Sequence, residues 1–324
     1  MRVLYPLARA LSSAGLLFGL LLAPRLLSPP ALAQSIFGTI LGTVTDTTSA
    51  VVPGAKVTVL NMSTKEKRGF TTGASGNYEI HNLFPGVYVL EVEMSGFAKY
   101  RKEPIRLAAN ENARVDPTLE LATAATTVTV SGEAGPRIET ETARLADVRN
   151  LRQLQTLPLG ARAIWRFLAL TPGVTGGMTG TMSVSGSRGR QVHYAVDGVS
   201  MADKDSNTLS PTLDFIEAFE EARIDFGNNT AEFKGLGTLT VVSKRGGNEL
   251  HGAVYNYYTT GAFRARDYFT RARPGTPSHG FGGHVSGPVY LPKLYDGRNK
   301  MFWFASYETT FAPSSVSDFN ITVP

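Results

Sequence analysis

Over residues 34–121, branched or aromatic residues alternate with polar ones. The stretches IFGTILGTVTD, GAKVTVLN, GNYEIHNL, GVYVLEVEM and NARVDPTLEL carry this period of two. Pro53-Gly54, Ser75-Gly76-Asn77 and Pro85-Gly86 separate them with turn chemistry. Short strands at this spacing predict an all-β sandwich of about seven strands. In that reading Val57, Val59, Tyr78, Ile80, Val87, Val89 and Glu91 are alternate positions on a shared core face, with Glu91 where the face meets water.

The pattern changes after residue 121. Residues 122–146, ATAATTVTVSGEAGPRIETETARLA, are small, polar and Thr-rich, a composition that buries little and reads as a linker. Within it Thr126, Thr127, Val128, Thr129 and Val130 form a short strand-former with no local partner. From 147 to 249 the period lengthens. Leu151, Leu154 and Leu157, then Ile164, Phe167 and Leu168, fall at helical spacing, broken by Pro158 and ended by Thr171-Pro172-Gly173. Two short helices joined at a proline are expected. Glu217, Glu220 and Glu221 read as a solvated helix face, and Asp197 before Gly198 as a turn acid capping backbone amides.

Residues 250–324 return to a period of two and are crowded with aromatics. In GFGGHVSGPVY, Phe281, Gly283, Val285, Gly287 and Val289 share one face, opposite Gly282, His284, Ser286 and Tyr290. In KMFWFASYETTF the outer set is Met301, Trp303, Ala305 and Tyr307, with Phe302 and Phe304 opposing them. Apolar-out, polar-in alternation is what a strand between lipid and a water-lined lumen requires. A soluble sandwich with aromatic-rich strands is the competing reading.

The first residues are a targeting element. Arg2 and Arg9 form a basic region ahead of the apolar run 11–23, and Ala31-Leu32-Ala33 precedes Gln34, so a cleaved signal peptide over 1–33 with a mature start at Gln34 is expected. Its loss removes Arg2, Arg9 and Arg25 and lowers the formal net charge from +5 to +2, which leaves no basic face for nucleic acid. Cysteine is absent, which excludes disulfides and thiolate metal sites. No later stretch approaches the roughly twenty apolar residues of a membrane helix, so any membrane entry is by strands.

Catalytic chemistry finds no support in the spacing. There is no H-E-x-x-H, no G-x-S-x-G and no phosphate loop in strand-turn-helix context. His81 reads as a strand-end residue, and His279 with His284 lacks a third ligand. No catalytic, cofactor or metal residue is assigned.

GTVTDTTSAVVPGAKVTVLN and TTGASGNYEIHNLFPGVYVLEVEMSGF resemble the carboxypeptidase-regulatory-like family, a transthyretin/Ig-like sandwich classed near starch-binding modules. LTVVSKRGGNELHGAVYNYY, at residues 239–258, resembles the plug-to-barrel junction of TonB-dependent outer-membrane receptors, in particular the Oar-like group carrying that sandwich. GSRGRQVHYAVDGVS is similar to the plug strand ending in D-G-V, whereas LPLGARA stands where members read LPLNGRN.

The resemblance implies a mainly β chain: a sandwich at 34–121, a linker at 122–146, an α+β plug at 147–249, and from 250 to 324 the first strands of an incomplete transmembrane barrel. Such barrels have about 22 strands, and three or four candidates are present here, so an N-terminal part of a longer receptor is expected. Implied partners are TonB with its ExbB/ExbD motor, outer-membrane lipid, the barrel assembly machinery and an unknown extracellular substrate. Thr126–Val130 then reads as the TonB box, as the sandwich's last strand, or as a strand of the plug. The alternative function is a secreted or periplasmic carbohydrate-binding-like sandwich, whose platform would come from Tyr78, Phe84 and Tyr88 if they are not core.

Overall fold

The computed structural model describes residues 36–122, 127–131, 141–156, 164–168, 170–176, 182–188, 191–201, 216–228, 235–263, 265 and 277–311. The signal peptide with Ala33 and Gln34, Thr126, and the expected proline junction with Leu157 and Pro158 lie outside these residues.

The N-terminal domain contains β1 (Gly38–Thr43), β2 (Thr45–Asp46), β3 (Lys56–Asn61), β4 (Lys67–Thr71), β5 (Asn77–Leu83), β6 (Gly86–Glu93), β7 (Lys99–Leu107), β8 (Asn112–Arg114), β9 (Thr118–Leu119) and β10 (Thr127–Ser131). One sheet has the order β5-β1-β8 and a second β10-β7-β6-β3-β4. The short pair β2-β9 continues the first sheet, because Thr39 pairs with Asn112 and Thr45 with Thr118 in parallel at one constant offset. β1 with β2, and β8 with β9, are therefore single strands with brief interruptions. Counted this way the expected seven strands are present, and β10 is an eighth.

The core face of β6 differs from the sequence expectation. Val57, Val59, Tyr78 and Ile80 are buried as expected, but they are joined by Tyr88, Leu90 and Val92, not by Val87 and Glu91. The pairing explains it. Val92 lies opposite Val57 and Leu90 opposite Val59, and opposed residues share a face. Val89 on the other face is buried as well, which hides the parity in the sequence. The irregularity opposite Tyr88 and Leu90 places its extra residue in β7, and β6 pairs with β3 without interruption. Glu91 faces outward, where Lys99 and Arg101 of β7 hold it at 3.0 and 2.5 Å.

The central domain comprises β11 (Leu145–Asn150), α1 (Leu151–Thr156), α2 (Ile164–Leu168), β12 (Val174–Gly176), β13 (Met182–Val184), β14 (Val192–Val196), β15 (Val199–Ser200), β16 (Phe219–Gly227) and β17 (Gly237–Ser243). Its main sheet runs β11-β16-β17-β14-β15. A reciprocal cap starts α1: Gln153 N–H donates to Asn150 Oδ1 and Asn150 N–H to Gln153 Oε1, each at 3.0 Å. Leu154, Ile164, Phe167 and Leu168 bury the helical stripe against Tyr194, Ile224, Leu239 and Val241.

The run around residue 220 is strand, not the expected helix face. Ile216–Ala218 is a single 3-10 turn that leads into β16. In β16, Ala222 and Ile224 face the apolar core while Glu221, Arg223 and Asp225 point the other way and are also buried. Arg223 and Asp225 neutralise each other at 2.9 Å, as buried charges must. Asp197 acts as a capping acid on a neighbouring strand, accepting from Ser243 N–H and Oγ at 3.0 and 2.5 Å.

The C-terminal sheet contains β18 (His251–Thr259), β19 (Ser278–Pro288) and β22 (Phe302–Phe311) in that order, with the small hairpin β20 (Tyr290–Leu291) and β21 (Tyr295–Asp296) between the last two. These long antiparallel strands have 9, 11 and 10 residues. A tilted strand needs about 9–11 residues to cross a bilayer.

Candidate functional site: the inner face of the C-terminal sheet

Cross-strand register divides the C-terminal sheet into two unlike faces. Tyr255 opposes Gly282, which opposes Glu308, and Ala253 opposes His284, which opposes Ser306. These residues share the inner face. Val254, Phe281, Val285, Trp303, Tyr307 and Phe311 share the outer face, and all are exposed, with Val254 at 78% and Phe311 at 76%. The aromatic side chains are therefore not folded into a water-soluble core. Phe302 and Phe304 lie on the inner side and are half-buried, as their parity predicts.

The inner face meets the central domain through a polar cluster. Glu217 sits just before β16 with 2% of its surface exposed. Its Oε2 accepts from Gln155 Nε2 of α1 at 2.8 Å, and its Oε1 accepts from the Tyr257 hydroxyl of β18. One carboxylate thus joins a helix of the central domain to the C-terminal sheet. Lys244, just after β17, places Nζ 3.3 Å from His284 Nε2. Burial pulls the Lys244 ammonium below its ordinary pKa, and Glu217 opposes that fall. Tyr255 donates to Glu308 Oε2 at 3.0 Å, and its ring lies 5.4 Å from that of Tyr257. The arrangement holds two surfaces together. Its carboxylates are engaged by hydroxyl and amide donors, and it carries no nucleophile with an oriented base.

His279 and His284 fall on opposite faces of β19. His279 stacks on Tyr258 at 4.4 Å on the outer face, while His284 looks inward, so the two do not share a ligand site. His81 is exposed, 3.6 Å from Glu79. Tyr78 and Tyr88 are core residues at 2% and 4% exposure, which removes two of the three aromatics a sugar platform would need.

Of the strand-former singled out in the sequence, Thr127, Val128, Thr129 and Val130 lie in β10 and Thr126 lies outside the described residues. β10 pairs in parallel with β7, Thr127 opposite Lys99 through Ser131 opposite Glu103. Among the described residues it is the end strand of its sheet, with no strand on its far side. Sequence reasoning placed Glu217 on a solvated helix face and did not single out Gln155, Lys244 or Tyr257. The polar-apolar alternation from Glu221 to Phe226 was the available signal for a strand there.

Two family models match the chain. The carboxypeptidase regulatory-like domain covers residues 39–120 and the outer membrane beta barrel domain residues 242–324. The TonB-dependent transporter Oar of Myxococcus xanthus is 28% identical over 320 residues, which is 92% of this chain and 28% of that protein. The chain thus spans little more than a quarter of that relative's length. Among solved structures, the siderophore receptor PirA from Pseudomonas aeruginosa aligns at 15% identity and a TM-score of 0.36, over 52% of this chain and 29% of that one. A catechol 1,2-dioxygenase of Acinetobacter radioresistens aligns at 15% identity and a TM-score of 0.22, over 32% of this chain and 57% of that one.

Proposed function

We propose that this chain is the N-terminal part of a TonB-dependent outer-membrane transporter in which the central domain, residues 147–249, plugs a β-barrel begun by β18, β19 and β22. The chain resembles Oar-type transporters and is an outer-membrane protein with a carboxypeptidase regulatory-like sandwich ahead of a barrel domain. The observation that carries the plug reading is the Tyr257–Glu217 contact. It holds the central domain against the inner face of a sheet whose other face exposes Val254, Phe281, Val285, Trp303, Tyr307 and Phe311. A plug must touch the lumen wall through satisfiable polar groups, because it has to let go again.

In this reading the residues do no bond chemistry, and the work is mechanical. Substrate binds on extracellular parts of the longer receptor. TonB, driven by ExbB/ExbD, captures the segment Thr126–Val130, and the resulting pull displaces the plug. Addition of an edge strand suits this segment, since main-chain hydrogen bonds supply the affinity and side chains on one face the selectivity. The barrel assembly machinery would insert the completed barrel.

The test is expression from the native locus with its downstream sequence, followed by membrane fractionation and capture on the immobilised C-terminal domain of TonB. Recovery in the outer membrane together with TonB capture is expected. Soluble protein that ignores TonB would end this reading and favour the secreted sandwich.

A further inference from the structure

The hairpin between β3 and β4 is built to present two carbonyls. Asn61 Oδ1 accepts the N–H groups of Ser63 and Thr64 at 2.9 and 3.0 Å, and Lys65 takes a left-handed conformation with φ 60°. The carbonyls of Ser63 and Thr64 then meet Asn248, which stands three residues before β18. Asn248 N–H donates to Ser63 O at 3.1 Å, and its Nδ2 reaches Thr64 O at 2.9 Å and Ser63 O at 3.3 Å. The same amide also engages the link into β22, with Nδ2 2.9 Å from Asn299 Oδ1 and Oδ1 accepting Asn299 N–H at 2.7 Å. That backbone donor fixes which way the amide points.

Two other turns of the sandwich grip the central domain. Ala109 N–H, between β7 and β8, donates to the buried Glu221 carboxylate at 2.6 Å, and the Arg245 guanidinium lies 3.7 Å over the Phe84 ring. One rigid sandwich therefore holds β16 through Glu221 and the start of the C-terminal sheet through Asn248. β16 cannot move relative to that sheet without breaking one set of contacts or the other.

We propose that the sandwich is a latch: docked on Asn248 it holds the plug in its closed position, and plug displacement requires the Asn61–Lys65 turn to release Asn248. The contacts stand by themselves, and only the word plug rests on the transporter reading. The sequence offers a direct test, since it has no cysteine and a Cβ built at Gly247 lies 3.5 Å from Ser63 Cβ. Disulfides need a Cβ separation of about 3.5–4.5 Å.

Ser63→Cys with Gly247→Cys is introduced into the receptor expressed from its native locus. Under oxidation a mobility shift is expected on non-reducing gels of the outer-membrane fraction. The purified receptor is then placed in planar lipid bilayers and titrated with urea until conductance opens. The oxidised pair should open at higher urea than the same protein after reduction, and Asn248→Ala, which needs no disulfide, should open at lower urea than the unsubstituted receptor. Absence of the cross-link overturns the docking. A complete cross-link with an unchanged opening midpoint overturns the latch, as does an Asn248→Ala receptor that opens at the original urea. A receptor that behaves as expected in urea but fails to capture TonB leaves the latch standing and removes the transporter reading instead.

Discussion

Tyr255 lies across Gly282 so closely that a Cβ built at Gly282 would fall 2.6 Å from the Tyr255 hydroxyl oxygen. The glycine is the gap through which Tyr255 of β18 passes over β19 to reach Glu308 of β22. The backbone offers no relief, because Tyr307 O lies 2.7 Å from the same point. Gly282→Ala should therefore break the Tyr255–Glu308 bond and strain the three-stranded start of the barrel, at a cost of about 1–3 kcal/mol. Heat-modifiable gel mobility of the outer-membrane receptor measures this, and the folded band should disappear at a lower temperature. Gly283→Ala is the comparison, since its Cβ would point outward with 3.1 Å to the nearest atom, and it should be milder.

Glu217 accepts from two elements at once, so its removal should loosen the central domain from the sheet. Glu217→Ala removes the acceptor of both the half-buried Tyr257 hydroxyl and the exposed Gln155 amide, a loss of about 0.5–1.5 kcal/mol for each hydrogen bond. Tyr257→Phe removes one of those bonds and leaves Glu217 with Gln155, so it should have the smaller effect. Limited proteolysis of membrane-embedded receptor distinguishes the two, with cleavage within residues 147–249 accelerating more in Glu217→Ala. Equal protection of both variants would remove Glu217 as the contact that holds the domain.

Much of this architecture was readable from alternation, and the failures have definite causes. The outer and inner faces of β19 follow directly from the alternation in GFGGHVSGPVY, and those of β22 from KMFWFASYETTF once Phe302 and Phe304 are set on the inner side by parity. β6 misled because Val89 is buried on the face opposite Tyr88, Leu90 and Val92, so the alternation from Val87 to Val92 does not say which face is the core. Glu221 misled for a different reason. A strand buried on both faces, one of them carrying Arg223 and Asp225, looks hydrophilic enough to pass for a solvated helix. The partners of Asn248 were beyond reach, since the turn it holds lies 184 and 185 positions away in the chain.

β10 has one edge engaged by β7 and lies at the end of its sheet. Proline at position 129 removes a backbone donor from this strand and blocks regular pairing on it. The TonB contact proposed for this strand predicts that Thr129→Pro abolishes capture by the C-terminal domain of TonB. Thr129 and Val130 are exposed, away from the sandwich core of Val57, Leu90 and Ile105, so the domain should remain folded, with little change in the thermal midpoint of the isolated protein. Undiminished capture by Thr129→Pro would move the TonB contact elsewhere in the chain.

Glu221 makes the docked state sensitive to pH in a direction that can be worked out. Burial raises its carboxyl from an ordinary 4.5 to about 7, and the Ala109 N–H that it accepts only partly offsets this. The folded protein therefore binds this proton more tightly than the unfolded chain does. Below pH 4.5 the group is protonated in both states and costs nothing. Between 4.5 and about 7 the unfolded chain loses the proton first, so stability falls as pH rises; above about 7 the loss is complete, at about 3 kcal/mol or less. Urea midpoints of the receptor at pH 5 and pH 8 should show lower stability at pH 8. Glu221→Gln keeps an oxygen for Ala109 N–H without an ionisable group, and should shrink the difference between the two midpoints by raising the one at pH 8. If the substituted receptor shows the same pH difference as the original, the loss belongs to another group, and Glu221 holds the sandwich in both protonation states alike.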